Sequence, residues 1–160
     1  MMEPYAACVR APFAVLGIST AGGALTGLCY LPDGTPLVAP RDRIAQRTAR
    51  ELERYFDDPA FRFSVPLGIE GTPFQRRTWD AIAAIPVGES RTYAEIARST
   101  RSAARAVGQA CGRNRIALVI PCHRVVGSGG SLGGFMNAAR GDPIAIKRWL
   151  LVHEGYRFGA

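Results

Sequence analysis

A cysteine and a histidine stand side by side in Val119-Ile120-Pro121-Cys122-His123-Arg124-Val125-Val126, and a glycine-rich stretch, 127–134, follows at once. A thiol is a weak nucleophile and a thiolate a strong one, and a neighbouring imidazole and guanidinium both favour the thiolate. These residue types therefore suit Cys122 to nucleophilic displacement, with His123 as the group that takes its proton. The preceding Ile116-Ala117-Leu118-Val119-Ile120 is aliphatic, partly β-branched and closed by Pro121, the pattern of a short buried strand. A strand that ends in Pro-Cys-His and opens into glycines is expected to present its thiol at a surface cleft, where a substrate can approach the backbone.

The remaining cysteines, Cys8, Cys29 and Cys111, read as core residues, because an unpaired cysteine is most often an inert small hydrophobe. The four cysteines form no CxxC pair and only His123 and His153 could join them, so no metal site, no cofactor and no disulfide framework are expected. Residues 1–20 lack a basic start followed by an apolar core and a small-residue cleavage site, and no run is long enough to span a bilayer. A cytosolic protein without membrane association is the expectation. With 160 residues, 48% of them hydrophobic, the chain can build one domain or two small ones.

Charge separates the two halves. Residues 1–70 hold 7 Arg against 8 acids, a balance of −1, whereas residues 71–160 hold 12 Arg and Lys147 against 5 acids, a balance of +8. The basic half also carries the Cys-His pair, which points to a polyanion docking there.

The elements that must position the thiol follow from pattern. Phe13–Ile18 and Leu25–Tyr30 read as a hairpin around Ala21-Gly22-Gly23-Ala24, Arg41–Asp57 as an amphipathic helix, and Phe61–Leu67 as a further short strand. This first segment carries no chemical motif. Thr72-Pro73-Phe74-Gln75 has a cap, a proline at the first helical position and a capping-box partner, so a helix starts there, with Phe74, Thr78, Ile82 and Ile85 on its buried face beside Trp79. Two short helices, Thr92–Ser99 and Ser102 to Cys111, joined by a tight turn, form a helix-turn-helix candidate. The second presents small residues, Ala103, Ala104, Ala106, Gly108 and Ala110, where an ordinary surface helix carries Glu and Lys; such a face lets a backbone lie close to a grooved partner. Pro143–His153 is a final helix, with Ile144, Ile146, Trp149, Leu150 and Val152 available for packing.

Pro121-Cys122-His123-Arg124-Val125 resembles the active-site signature of the O6-alkylguanine-DNA alkyltransferases, the methylated-DNA–protein-cysteine methyltransferases. Gly71-Thr72-Pro73-Phe74-Gln75 with Trp79, Ile85-Pro86-Val87-Gly88 and Thr92-Tyr93, the Ala104-Arg105-Ala106-Val107-Gly108 run with Asn114, and Leu150–Gly155 match the same family. The likeness is dense over 71–156 and faint over 1–70. It implies a mixed α/β (α+β) fold: a small ribonuclease-H-like scaffold domain over 1–70, and a mostly helical DNA-binding and methyltransferase domain over 71–160 with a helix-turn-helix and a Pro-Cys-His-Arg loop. Some relatives hold zinc through their N-terminal half, which here has no histidine.

The resemblance implies a monomeric DNA-repair protein. It acts on double-stranded DNA containing O6-alkylguanine, with O4 of thymine as an analogous target, needs no protein partner, and is consumed in one turnover. Cys122 would attack the alkyl carbon and His123 would take its proton through a water; Glu154 would orient the imidazole. Asn114 would either bond the backbone around Cys122 or simply cap its loop. Tyr93 would assist nucleotide rotation and bond the guanine, the alternative being a core tyrosine. Arg105 would fill the stack behind the extruded nucleotide, because a base inside a duplex shields its O6. Ala104 and Gly108 would face the minor groove, and Arg98, Arg101, Arg113 and Arg115 would meet phosphates. Arg124 would either depress the thiol or, as the favoured role, brace the loop by bonding main-chain carbonyls or a carboxylate, and it is counted with the substrate-binding residues. Gly134, Phe135 and Met136 stand where many relatives have Gly-Tyr-Ser or Gly-Tyr-Ala, and residues 136–142 lengthen that loop. Two other readings compete. A damage-recognising relative without chemistry carries tryptophan in place of the nucleophile, which Cys122 contradicts, and a regulator with a sensor thiol leaves His123 and Glu154 unexplained.

Overall fold

The computed structural model describes residues 5–130, 132 and 143–157. It divides into two compact units, Met1–Ile69 with Arg115–Ala117, and Glu70–Asn114 with Leu118–Ala160. The first holds an antiparallel sheet and one helix and the second is mainly helical, a mixed α/β chain as its sequence predicts.

The sheet runs in the order β1 (Ala7–Arg10), β2 (Val15–Ala21), β3 (Ala24–Leu31). Gly22 and Gly23, at φ 59° and 77°, close the expected hairpin in a conformation that twists with the strands and that other residues resist. β1 is not expected from pattern: four residues are too few to show alternation, and it is held by pairing with β2, Cys8 opposite Gly17. A side chain at Gly17 would meet the Tyr5 ring at 2.8 Å, so the glycine is what lets the chain before β1 lie on β2. Helix α1 (Arg43–Asp57) starts where Asp42 accepts a hydrogen bond from the Ala45 amide, and buries Ala45, Thr48, Leu52 and Tyr55.

The segment Phe61–Leu67 corrects the sequence reading, for it is no strand. The Ser64 and Val65 amides donate to the buried Glu51 carboxylate on α1, at 2.9 and 3.2 Å, so a side chain takes the donors that a sheet would use. Only Leu67 bridges to β3, through Leu25.

In the second unit, α2 (Pro73–Ala83) begins with the expected reciprocal capping box between Thr72 and Gln75 and buries Thr78, Trp79 and Ile82. A two-residue β4 (Arg91–Thr92) leads directly into α3 (Tyr93–Thr100), which Thr92 and Glu95 cap in the same way. Arg101, in the left-handed region at φ 56°, ends α3, and α4 (Ala104–Gly112) follows. The Trp79 indole donates to the Ala110 carbonyl at 2.9 Å and ties α2 to the end of α4. β5 (Val125–Val126) pairs in parallel with β4, and α5 (Pro143–His153) completes the unit. On α5 the packed residues are Ile146, Lys147, Leu150 and Leu151; Ile144 and Val152, expected inside, are exposed. No helix among the described residues is long and apolar enough to cross a membrane.

Candidate active site

The stretch 116–120 is not the expected strand. Ile116 makes a single bridge to Leu28, the chain turns over 117–119, and Leu118 adopts φ 71°. Asn114 explains why the chain cannot run straight: its Nδ2 donates to the Ile120 carbonyl at 3.0 Å, filling an acceptor that a neighbouring strand would need. Pro121, at φ −82° and ψ 64°, then makes a tight three-residue turn in which the Cys122 amide donates to Ile120 at 2.8 Å. Cys122-His123-Arg124 forms one turn of 3₁₀-helix rather than an extended strand end. The three side chains therefore fan apart around a helix instead of alternating across a sheet.

Four elements converge on this turn. The clip between β4 and β5, Arg91 opposite Val125 and Thr92 opposite Val126, sets the start of α3, with Tyr93, beside the residues that follow Cys122. The end of α4 brings the buried Cys111, near enough to Cys122 for each thiol to shift the other's proton affinity. Asn114, just beyond, donates from the same Nδ2 to Cys122 Sγ at 3.3 Å. Helix α5 supplies Lys147 and Glu154. Glu154 is placed by a two-bond helix ending: Tyr156 donates to Leu151 and Gly155 to Val152, at 2.9 and 3.0 Å, with Gly155 at φ 90°.

Glu154 is the hub. One oxygen meets His123 Nε2 at 2.8 Å and Arg124 Nη2 at 3.1 Å; the other accepts from Arg124 Nε at 2.8 Å. Arg124 Nη1 donates to the Ile85 carbonyl at 2.7 Å. Burial alone would raise the Glu154 carboxyl, but the hydrogen bonds and charges of His123 and Arg124 outweigh it and pull it down to about 2. Burial pushes the His123 imidazole below its ordinary value, more than Glu154 raises it, so the ring is a neutral base near pH 7. With Nε2–H committed to Glu154, the lone pair sits on Nδ1, a buried atom with no hydrogen-bond partner among the described residues.

Two expectations need correction. Cys122 does not open onto a cleft in this state; it is 4% exposed, because the 3₁₀ turn directs it inward against Asn114 and Cys111. Nor do His123 and Arg124 make it a thiolate at rest. The neighbouring Cys111 thiol and burial hold the Cys122 thiol well above its ordinary value, while Asn114 and Lys147 pull the other way. Arg124 takes the bracing role, bonding the Glu154 carboxylate and the Ile85 carbonyl. A groove of about 490 Å³ lined by Ile85, Arg91, Glu95 and Arg98 does not include the thiol.

Lys147 was not singled out by pattern. Its side chain is fully buried, its ammonium donates to the Leu132 carbonyl at 2.5 Å and lies 5.7 Å from the Tyr93 ring centre. Burial lowers it to about 8, against the pull of Cys111 and Cys122, so it is still largely charged near neutral pH. The signal was present: the chain's one lysine falls three and four residues before Leu150 and Leu151, on the apolar face of α5. Burial also raises the Tyr93 phenol, keeping it protonated.

Ala104, Arg105 and Arg113 are exposed and Gly108 half-buried; a side-chain carbon added at Gly108 would touch nothing within 4 Å, so that face of α4 is open. Gly134, Phe135 and Met136 lie outside the described residues.

A helical pair with an open, small-residue face, leading to a buried cysteine followed in the chain by a histidine paired with a carboxylate, fits the class of nucleic-acid-binding proteins that work through a cysteine. Residues 73–156 match the family model described as 6-O-methylguanine DNA methyltransferase, DNA binding domain. The chain belongs to the methylated-DNA–protein-cysteine methyltransferase family. It is 38% identical over 156 residues to the methylated-DNA–protein-cysteine methyltransferase of Mycobacterium tuberculosis, covering 93% of this chain and 91% of that one. The namesake from Methanosarcina acetivorans is 45% identical over 112 residues, 69% of each chain. Among solved structures, the Mycobacterium tuberculosis OGT in complex with DNA superposes with a TM-score of 0.77 at 38% identity, over 92% of this chain and 90% of that one.

Proposed function

We propose that Cys122 is the residue that takes the alkyl group from O6 of guanine in double-stranded DNA. The chain is a DNA-repair methyltransferase that transfers methyl to cysteine. The observation that carries the assignment to Cys122 is the Glu154–His123 pair beside it, with Asn114 bonded to its sulfur. In the reaction the thiol proton passes to His123 Nδ1, through a water, and Glu154 stabilises the imidazolium that results. Sulfur attacks the alkyl carbon as the carbon–O6 bond breaks, the electron pair leaves with guanine, and the proton ends on the base. The product is a thioether with no carbonyl for water to attack, so each molecule acts once. Residues 1–70 act as scaffold in this reading, and residues 71–160 bind DNA and carry the chemistry. O4 of thymine offers the same alkyl-oxygen chemistry, and four unpaired cysteines suit a reducing cytosol.

Because the thiol is buried and protonated at rest, the lesion must be brought to it outside the duplex. Ala104, Arg105 and Gly108 form the open face of α4, which no side chain caps at its start; its first amides suit a phosphate, and Arg98, Arg101 and Arg113 add sequence-independent charge. Arg105 would occupy the gap left by the extruded nucleotide. Arg105→Ala is therefore expected to slow repair of a duplex substrate roughly tenfold, since a loss of about 1.4 kcal/mol in offsetting the cost of extrusion is tenfold in rate. Its melting temperature stays unchanged, and free O6-alkylguanine base reacts at the wild-type rate; single-turnover assays on both substrates check this.

The decisive experiment incubates the protein with an O6-methylguanine duplex and weighs it. One methyl mass on the peptide holding Cys122, absent in Cys122→Ala, is the expected result. A methyl on another cysteine, or tight lesion binding without mass gain, would overturn the assignment.

A further inference from the structure

Cys111 plays no part in the transfer chemistry, yet its position is specific. Both thiols are buried, at 7% and 4% exposure, and are near enough that each shifts the other's proton affinity. Asn114 fastens both residues at once, its amide donating to the Cys111 carbonyl at 3.2 Å and its side chain to Cys122 Sγ at 3.3 Å. Cys8 and Cys29 lie in the sheet of the other unit, and Cys29 is bonded to Tyr5. We propose that Cys111 is the resolving partner of Cys122, and that a hydroperoxide converts the pair into a reversible disulfide that silences the protein without destroying its nucleophile.

The step balances without a further reactant. One sulfur, as thiolate, attacks a peroxide oxygen; the oxygen–oxygen bond breaks, leaving a sulfenic acid and a hydroxide that takes up a proton. The second sulfur attacks the sulfenic sulfur, the sulfur–sulfur bond forms, and the sulfur–oxygen bond breaks to release water. Two thiols lose two electrons, and the peroxide becomes two waters. The interaction that raises the Cys122 thiol lowers that of Cys111, and Lys147 lowers both, so one thiolate of the pair is accessible at modest cost. Burial does not exclude the oxidant, because any opening wide enough for an alkylated purine admits a peroxide. Without a resolving partner, a sulfenic acid at Cys122 goes on to sulfinic acid, which thiols do not reduce.

Regulation of repair in this way rests on Cys122 being the alkyl acceptor, so the test reads the bond apart from the activity. The full chain is treated with hydrogen peroxide, blocked with iodoacetamide, digested without reductant and weighed, and single-turnover transfer is measured before and after dithiothreitol. A Cys111–Cys122 linked peptide is expected, with activity lost on oxidation and most of it regained on reduction. In Cys111→Ala the same exposure should leave at least tenfold less activity recoverable. No linked peptide in the wild-type digest, or equal recovery in the variant, would overturn the proposal. If Cys111→Ala does not fold, the wild-type peptide map decides alone. A linked peptide without loss of transfer would keep the disulfide and refute Cys122 as the acceptor.

Discussion

Glu154→Ala is expected to lower the single-turnover transfer rate by roughly 100-fold or more and to destabilise the protein by about 3–5 kcal/mol. The two losses share one cause. The carboxylate is buried and answers both the Arg124 guanidinium and the His123 ring, so its removal leaves a half-buried cation unpaired and an imidazole free to turn. Glu154→Gln separates the effects: it keeps the shape and one acceptor, so it should recover part of the stability while remaining slow, as the imidazolium formed in the reaction has no counter-charge. Acid titration gives an independent readout. The folded-state value of Glu154, about 2, lies below its ordinary 4.5, so its contribution is present above pH 4.5 and is lost as pH falls through 2. That difference corresponds to about 3 kcal/mol of wild-type stability. His123 acts in the same direction at milder pH: its folded value is also depressed, so its contribution is full above 6.5 and declines below. Urea unfolding from pH 7 to pH 2 should give a steep acid loss in the wild type and a shallower one in Glu154→Gln. Superimposable curves would refute the role given to this carboxylate.

Lys147→Met should slow transfer by tenfold or more without lowering, and even while raising, the melting temperature at pH 7. The ammonium is buried and held down to about 8, which marks a cost to the fold: a depressed lysine weakens the native state below pH 8, and the penalty disappears only as pH rises through 8 to the ordinary 10.5. Methionine of similar length removes that cost and gives up the hydrogen bond to Leu132. For the reaction the same cation lowers the Cys122 thiol, and one unit of pKa is tenfold in thiolate fraction. The rate advantage of the wild type over the variant should shrink above pH 8, where Lys147 loses its proton. A variant that is both slower and less stable would reduce Lys147 to a packing role.

Local chemistry was legible in the sequence where one residue type has one reason to be there. Thr72-Pro73 with Gln75 gave the start of α2, and Gly22-Gly23 the hairpin. Misreadings arose where a side chain from elsewhere overrode the local pattern. Ile116–Ile120 is as strand-like as any run in the chain, but Asn114 takes its carbonyl and Leu118 turns left-handed. Phe61–Leu67 fails for the same reason, with Glu51 as the intruder. Arg124 was legible as a brace for a carboxylate and main-chain carbonyls, but its particular partners, at 85 and 154, were not, because they come from distant parts of the chain. Lys147 was hidden because a lysine on an apolar helix face ordinarily reaches out to water.

Arg124 and Glu154 join positions separated by 30 residues, and Arg124 and Ile85 by 39. The sulfur is therefore made before the carboxylate that orients its neighbouring imidazole. Until α5 has docked, His123 lacks its counter-charge and Arg124 its carboxylate, so the His123–Glu154 pair exists only in the finished fold.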